Sequence, residues 1–208
     1  MPDGLDLMDA IVFADIVDPW AYVGATRFER AAATFTIISG EPVEIVLRAA
    51  LQDVDVAPED ADVLNARVTA AALKSGIDLN FDDLVPASSF DAWRLLTWAS
   101  EFGPTVQRDL AHELWRAHFL DGADIADPFA LASRAALVGL DLETAEALLA
   151  SAEYADAVLA QSAAARDVGV RNLPHVVVNA EWTLAGIHTQ NDYVQALHRI
   201  STGAKPPR

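Results

Sequence analysis

Cysteine is absent from all 208 residues. Disulfide exchange needs a thiolate that attacks a disulfide sulfur, so the chain cannot run a thiol redox cycle with its own side chains. Lysine is scarce as well, at Lys74 and Lys205 alone, and 14 basic residues face 31 acidic ones for a net charge of −17. That balance repels nucleic acid and anionic membrane surfaces, and the expectation is no nucleic-acid partner and no membrane partner. No apolar run approaches the roughly 20 residues a membrane-spanning helix needs. Residues 1–10 carry three Asp and no basic residue, unlike the charged start of a secretory signal. The expected localisation is cytoplasmic. Glycine-rich phosphate loops and a Gly-x-Ser-x-Gly elbow are also missing.

What is present is an ample supply of core: 52% of the residues are hydrophobic, enough for one domain, or one domain carrying a large insertion. The apolar run AIVFA, 10–14, suits a buried strand. Asp18 then stands where a helix N-cap belongs, Pro19 takes the first helical position, and an amphipathic stretch continues to about Phe35. A second strand fits EPVEIVLRA, 41–49. From about 58 to 168 the pattern is helical, with breaks at SGIDLNFDDLVPASS, FGPT, LDGADIADP and VGLD that imply five or six short helices. HVVVN, 175–179, and EWTLAG then read as an antiparallel hairpin. A last helix starts at Thr189, with Asp192 completing a variant capping box. The order is β-α-β, a helical block, then β-β-α. Each β-containing piece is too small to bury a sheet alone, so the two are expected to pair into one sheet.

The stretch Asp18-Pro19-Trp20-Ala21-Tyr22-Val23-Gly24 resembles the active-site turn of the DsbA-type thioredoxin-fold family, specifically its FrnE-like branch, with hydroxychromene-carboxylate isomerases as relatives. Members usually carry Cys-Pro-Trp-Cys there. LWRAHFLDGADIAD, 114–127, is similar to the family's inserted helix and acidic loop. AARDVGVRNLPHVVVNAEWTLAGIHTQNDYVQAL, 164–197, is similar to its strand entry and terminal helix. The resemblance implies an α/β, thioredoxin-like fold from 1–55 plus 165–204 and an inserted all-helical domain over 56–164; the end of STGAKPPR, 205–208, reads from its own residues as a disordered tail. The resemblance also implies that Pro174 is a cis-proline facing the helix start, where relatives grip an extended substrate. The departures lie at the same place: Asp18 and Ala21 replace both cysteines, and His175 follows the proline where a small or apolar residue is expected. Trp93 stands where relatives tend to have His, in a segment where they tend to have Asn near Ser88.

The candidate residues follow from that frame. Asp18 reads either as a helix cap or as a catalytic carboxylate, and its position at the positive end of a helix predicts a low pKa. His175 is the second catalytic candidate, expected beside Asp18. The expected ligand-binding surface is Asp18, Trp20, Ala21, Trp93, Leu173, Pro174 and His175, with Tyr22 as a further groove candidate. HELWRAH, 112–118, spaces its histidines six apart, which fails the metalloprotease pattern, and His118 reads as a core histidine. Asp109, His112, Glu113 and Arg116 read as a solvated polar face. Ser88, Ser89 and Thr183 have no patterned base partner. No metal site and no resident cofactor are expected. The function expected is a cysteine-free, redox-inactive family member that binds a peptide or small ligand near Pro174, and a homodimer is a possible assembly. The alternative is an isomerase or transferase-like enzyme that uses a bound low-molecular-weight thiol such as glutathione.

Overall fold

The computed structural model describes residues 7–52 and 61–204. The boundary expected at 55/56 and the tail at 205–208 lie outside the described residues.

Strand β1, Met8–Ala14, alternates buried and exposed residues over its first half and is wholly buried at its end. Helix α1, Pro19–Ser39, starts on Asp18 as N-cap with Pro19 in the first turn. It runs one turn past the expected end at Phe35, because Gly40, in the left-handed region at φ 79°, is the first residue able to close it. Strand β2, Val43–Ala49, pairs parallel with β1, beginning two residues later than expected. Six α-helices follow among the described residues: α2 (Ala61–Leu73), α3 (Phe90–Ala99), α4 (Pro104–Phe119), α5 (Pro128–Leu137), α6 (Leu142–Leu149) and α7 (Ala155–Asp167). The break between α6 and α7, residues 150–154, has neither Gly nor Pro to announce it. Buried Arg94 stabilises it by donating to the carbonyls of Leu148, Ser151 and Glu153. The hairpin β3 (His175–Val178) and β4 (Trp182–Ala185) leads into α8, Gln190–Ser201, which begins with the Thr189–Asp192 capping box. No helix among the described residues is long and apolar enough to cross a membrane.

The four strands form one mixed sheet in the order β2-β1-β3-β4. As β1 and β2 are parallel, their C-terminal ends emerge on the same side. As β3 is antiparallel to β1, with His175 opposite Phe13, its N-terminal end comes to that side as well. Topology alone thus gathers residues 15–18, 50–52 and 173–175 at one end of the sheet. The outer edge of β2 would leave backbone groups unpaired. Helical side chains cover it: Gln107 bonds both the N–H and the carbonyl of Leu47, and Gln161 accepts from Ala49 N–H.

The start of α1 packs directly on Pro174, which follows a cis peptide bond from Leu173. Only glycine permits this approach. A Cβ on Gly24 would lie 2.5 Å from Pro174 Cδ and closer still to Cγ. Gly24→Ala should therefore cost about 1–3 kcal/mol by overpacking, read as a lower urea midpoint. An unchanged midpoint would show that the helix and the proline loop do not meet at Gly24.

Candidate functional site

The helix-start residue Asp18 does cap: its Oδ1 accepts from Ala21 N–H at 2.9 Å. Its Oδ2 accepts from Gln52 Nε2 at 2.7 Å. One turn earlier, Asp15 sits wholly buried just beyond the end of β1. Its Oδ2 accepts from Gln52 N–H at 2.7 Å, its Oδ1 accepts from the Trp93 indole at 3.3 Å, and the Ser89 hydroxyl is a further partner. Gln52 therefore binds both carboxylates, one through its backbone and one through its side chain. The Asp15 carbonyl accepts a second indole N–H, from Trp115, at 3.2 Å.

Burial dominates the electrostatics. It raises the pKa of Asp15, against the hydrogen bonds from Ser89, Gln52 and Trp93. It lifts Asp18 from the ordinary 3.8 to about 6, with the charge of Asp15 adding to the effect. The low pKa expected from the cap and the helix end is thus reversed. The backbone N–H bonds do favour the anion, but removing a carboxylate from water costs more. Asp18 is half protonated near pH 6, which places it in the range of a group that can hold or release a proton near neutrality.

The other expected site residues differ in exposure and partners. Ala21 is buried in α1, Trp20 is half-buried against the core, and Pro174 is buried against Gly24. Trp93 has no exposed surface and acts on the site through Asp15. Tyr22 is likewise no groove residue, since its ring stacks on Trp115 at 5.3 Å. His175 is not a hydrogen-bond partner of Asp18. Its ring meets Phe13 edge-on, its Nδ1 has no partner among the described residues, and burial lowers its pKa, so the imidazole is neutral. His118 is a core histidine, pushed down to about 4 by burial. The α4 face is not simply solvated: His112 Nε2 bonds Glu29 at 2.8 Å, and Arg134 approaches Glu113 at 3.5 Å. Ser89, without a base partner in the sequence pattern, belongs to the Asp15 cluster.

Two open cavities, of about 410 and 90 Å³, lie beside the carboxylate pair and share Leu51, Gln52, Ser162 and Arg166. The larger also has Ser89 and Phe90 in its wall, and the smaller has Val170, Arg171 and Leu173. Leu173 is the one member of the expected ligand-binding set that lines either. Each carboxylate stands one residue behind the wall, Asp18 behind Gln52 and Asp15 behind Ser89 and Gln52. Sequence spacing did not reveal Asp15, Gln52, Ser89 or Ser162. The one available signal was an aspartate directly after the apolar run AIVFA, where a buried strand ends.

Residues 10–198 match the family model of the DSBA-like thioredoxin domain. The chain belongs to that family. Among solved structures, a probable DsbA oxidoreductase from Streptomyces coelicolor is similar at 28% identity and a TM-score of 0.80, over 97% of this chain and 93% of that one. The cytosolic disulfide reductase DsbM of Pseudomonas aeruginosa, in a structure with GSH, shares the fold at 15% identity and a TM-score of 0.68, over 93% and 99% of the two chains. A 2-hydroxychromene-2-carboxylate isomerase shares it at 17% identity and 0.63, over 94% and 95%. A search of curated proteins finds no match. In this DSBA-like chain the turn that starts α1 holds Asp18 and Ala21, and no cysteine occurs anywhere.

The raised pKa gives a stability prediction with a definite sign. A carboxyl whose folded pKa exceeds its unfolded one stabilises the fold below the unfolded value, and that contribution is lost as pH rises through the folded value. Asp18→Asn keeps a capping oxygen and removes the titration. Relative to wild type, the variant should gain on the order of 2–3 kcal/mol between pH 4 and pH 7, because each tenfold change in proton affinity is worth about 1.4 kcal/mol. Urea denaturation at several pH values measures it. A difference independent of pH would mean that Asp18 keeps an ordinary pKa in the folded protein.

Proposed function

We propose that this chain is a redox-silent member of the DSBA-like thioredoxin family that binds a peptide or small-molecule ligand in the cavities beside Leu173 and cis-Pro174. The observation that carries the reading is Gln52, which ties Asp18, at the position of the first family cysteine, to buried Asp15 and also lines both cavities. A ligand that displaces or reorients Gln52 changes the environment of Asp18. The ligand site and the proton site are thus coupled through one side chain.

A chain that carried out thiol chemistry through bound glutathione would need to stabilise a thiolate near the start of α1. Asp18 is largely anionic above pH 6 and Asp15 lies one turn away, so an added anion there meets repulsion with little screening by water. The carboxylate pair favours the ligand-binding reading over the bound-thiol enzyme.

Insulin reduction with glutathione as the sole thiol separates the two. The rate with protein should equal that of glutathione alone, and a catalysed rate would sink the redox-silent reading in favour of the thiol-dependent enzyme. Binding is tested by following backbone amide shifts as N-phenyl-1-naphthylamine is added. Shifts should centre on Leu51, Gln52, Ser162 and Leu173, and shifts centred elsewhere would remove the cavities as the binding surface.

A further inference from the structure

Among the described residues the Ser162 hydroxyl proton has no protein acceptor. Ser162 is 2% exposed, on the inner side of α7, and lines both cavities. Its Oγ accepts from Leu51 N–H at 3.2 Å and from Arg166 Nη1 at 3.0 Å. Both lone pairs are thereby used, and a hydroxyl also carries one donor. Serines inside helices commonly donate to the carbonyl four residues back, but among the described residues Ser162 Oγ–H has no acceptor. A buried donor without a partner costs free energy unless something enters the cavity to accept from it.

The charges around that hydroxyl have the same bias. Arg166 and Arg171 line the smaller cavity, and Arg166 lines the larger as well. Neither guanidinium forms an ion pair among the described residues. Arg166 spends one N–H on Ser162, and Arg171 has no hydrogen bond to a described side chain or carbonyl. Among the described residues no carboxylate lines either cavity, although acidic residues outnumber basic ones 31 to 14 along the chain. Apolar wall is supplied by Leu51, Phe90, Leu159, Val170 and Leu173, beside the polar Gln52, Ser88 and Ser89.

We propose that these cavities bind a small amphipathic organic acid, with its carboxylate held by Arg166, Arg171 and the Ser162 hydroxyl and its apolar body against Leu51 and Leu173. The inference rests on the ligand-binding reading above and adds the ligand's chemical class. A carboxylate offers about four acceptor positions, which a guanidinium fork and a hydroxyl can fill together. The site also sets the ligand's direction. Behind Gln52 lies Asp18, which with a pKa of about 6 is anionic at pH 7.5 and repels an anion, so the charged end stays at the arginines and the apolar end turns inward. Exposed charges elsewhere do not duplicate this arrangement. In the cavity at Arg27, Arg30 and Lys74, Arg27 is committed to Ser75 and to the carbonyls of Ala71 and His188, and Arg30 to the Ser75 carbonyl.

The test compares 1-naphthylacetate with 1-naphthylacetamide, which share one apolar body and differ by the charge. Each is titrated into the full chain at pH 7.5, with calorimetry for affinity and amide shifts for location. The acetate should bind at least tenfold more tightly than the amide, with shifts at Leu51, Ser162 and Leu173. Arg166→Gln with Arg171→Gln, both on the surface and so compatible with folding by circular dichroism, should reduce the acetate to the affinity of the amide and leave the amide unchanged. Replacement of both by Lys should recover part of the difference, as a point charge without the fork. Lys74→Gln should change nothing, and a loss of acetate binding there would place the anion in the wrong cavity and overturn the proposal. Equal affinities for the two probes at these residues would overturn the anion subsite while leaving the cavity reading intact. Shifts from neither probe would overturn both.

Discussion

The rest of the structure depends on how Asp15 is accommodated out of water. A carboxyl at the end of a buried strand is tolerable only if donors surround it. Here the donors come from separate parts of the chain: Gln52 after β2, Ser89 and Trp93 at the start of α3, and Trp115 of α4 on the carbonyl of the same residue. One buried residue thus joins the sheet to the helical block. The polar network fixes their relative placement more sharply than apolar contact would, because each donor has a definite direction. It also explains why Trp93 and Trp115 are fully buried indoles, for whose N–H groups Asp15 supplies both acceptors.

The site inherits its character from the same residue. Asp18 meets the same Gln52 and feels the charge of Asp15, so the helix start, which by itself would stabilise an anion, holds a carboxyl that titrates near pH 6. The cavity wall then separates two electrical environments, with protonatable carboxylates behind Gln52 and guanidinium groups beyond Ser162. The DSBA-like architecture, with a proline loop facing a helix start, is retained in full.

Much of this was legible in the sequence where the signal is local. Asp18-Pro19 announced a helix start, Thr189 and Asp192 announced another, and an apolar run, β-branching and a hairpin pattern located the four described strands to within two residues. The resemblance placed Pro174 opposite α1, and the close approach at Gly24 gives that placement its steric reason. What was not legible depends on distant partners. Asp15, Gln52 and Ser89 are separated by 37 residues or more in pairs that no spacing rule connects, and the cluster exists only once the sheet has formed. The pKa of Asp18 was expected in the wrong direction for the same reason. Capping and helix polarity are local and lower it, whereas desolvation is set by the whole fold and prevails. Trp93 and Tyr22, read as possible surface, are core: the Trp93 indole is held on buried Asp15, and α4 stacks Trp115 on the Tyr22 ring.

The central claim is that a desolvated, proton-binding carboxylate pair stands at the start of α1. The most direct measurement is the pH titration of the side-chain carboxyl carbons of Asp15 and Asp18 by carbon-13 NMR, assigned with single Asp→Asn variants. The account predicts a midpoint for Asp18 of about 6 and one for Asp15 above the ordinary aspartate range. Midpoints for both at or below about 4, the value of a solvated aspartate, would contradict it.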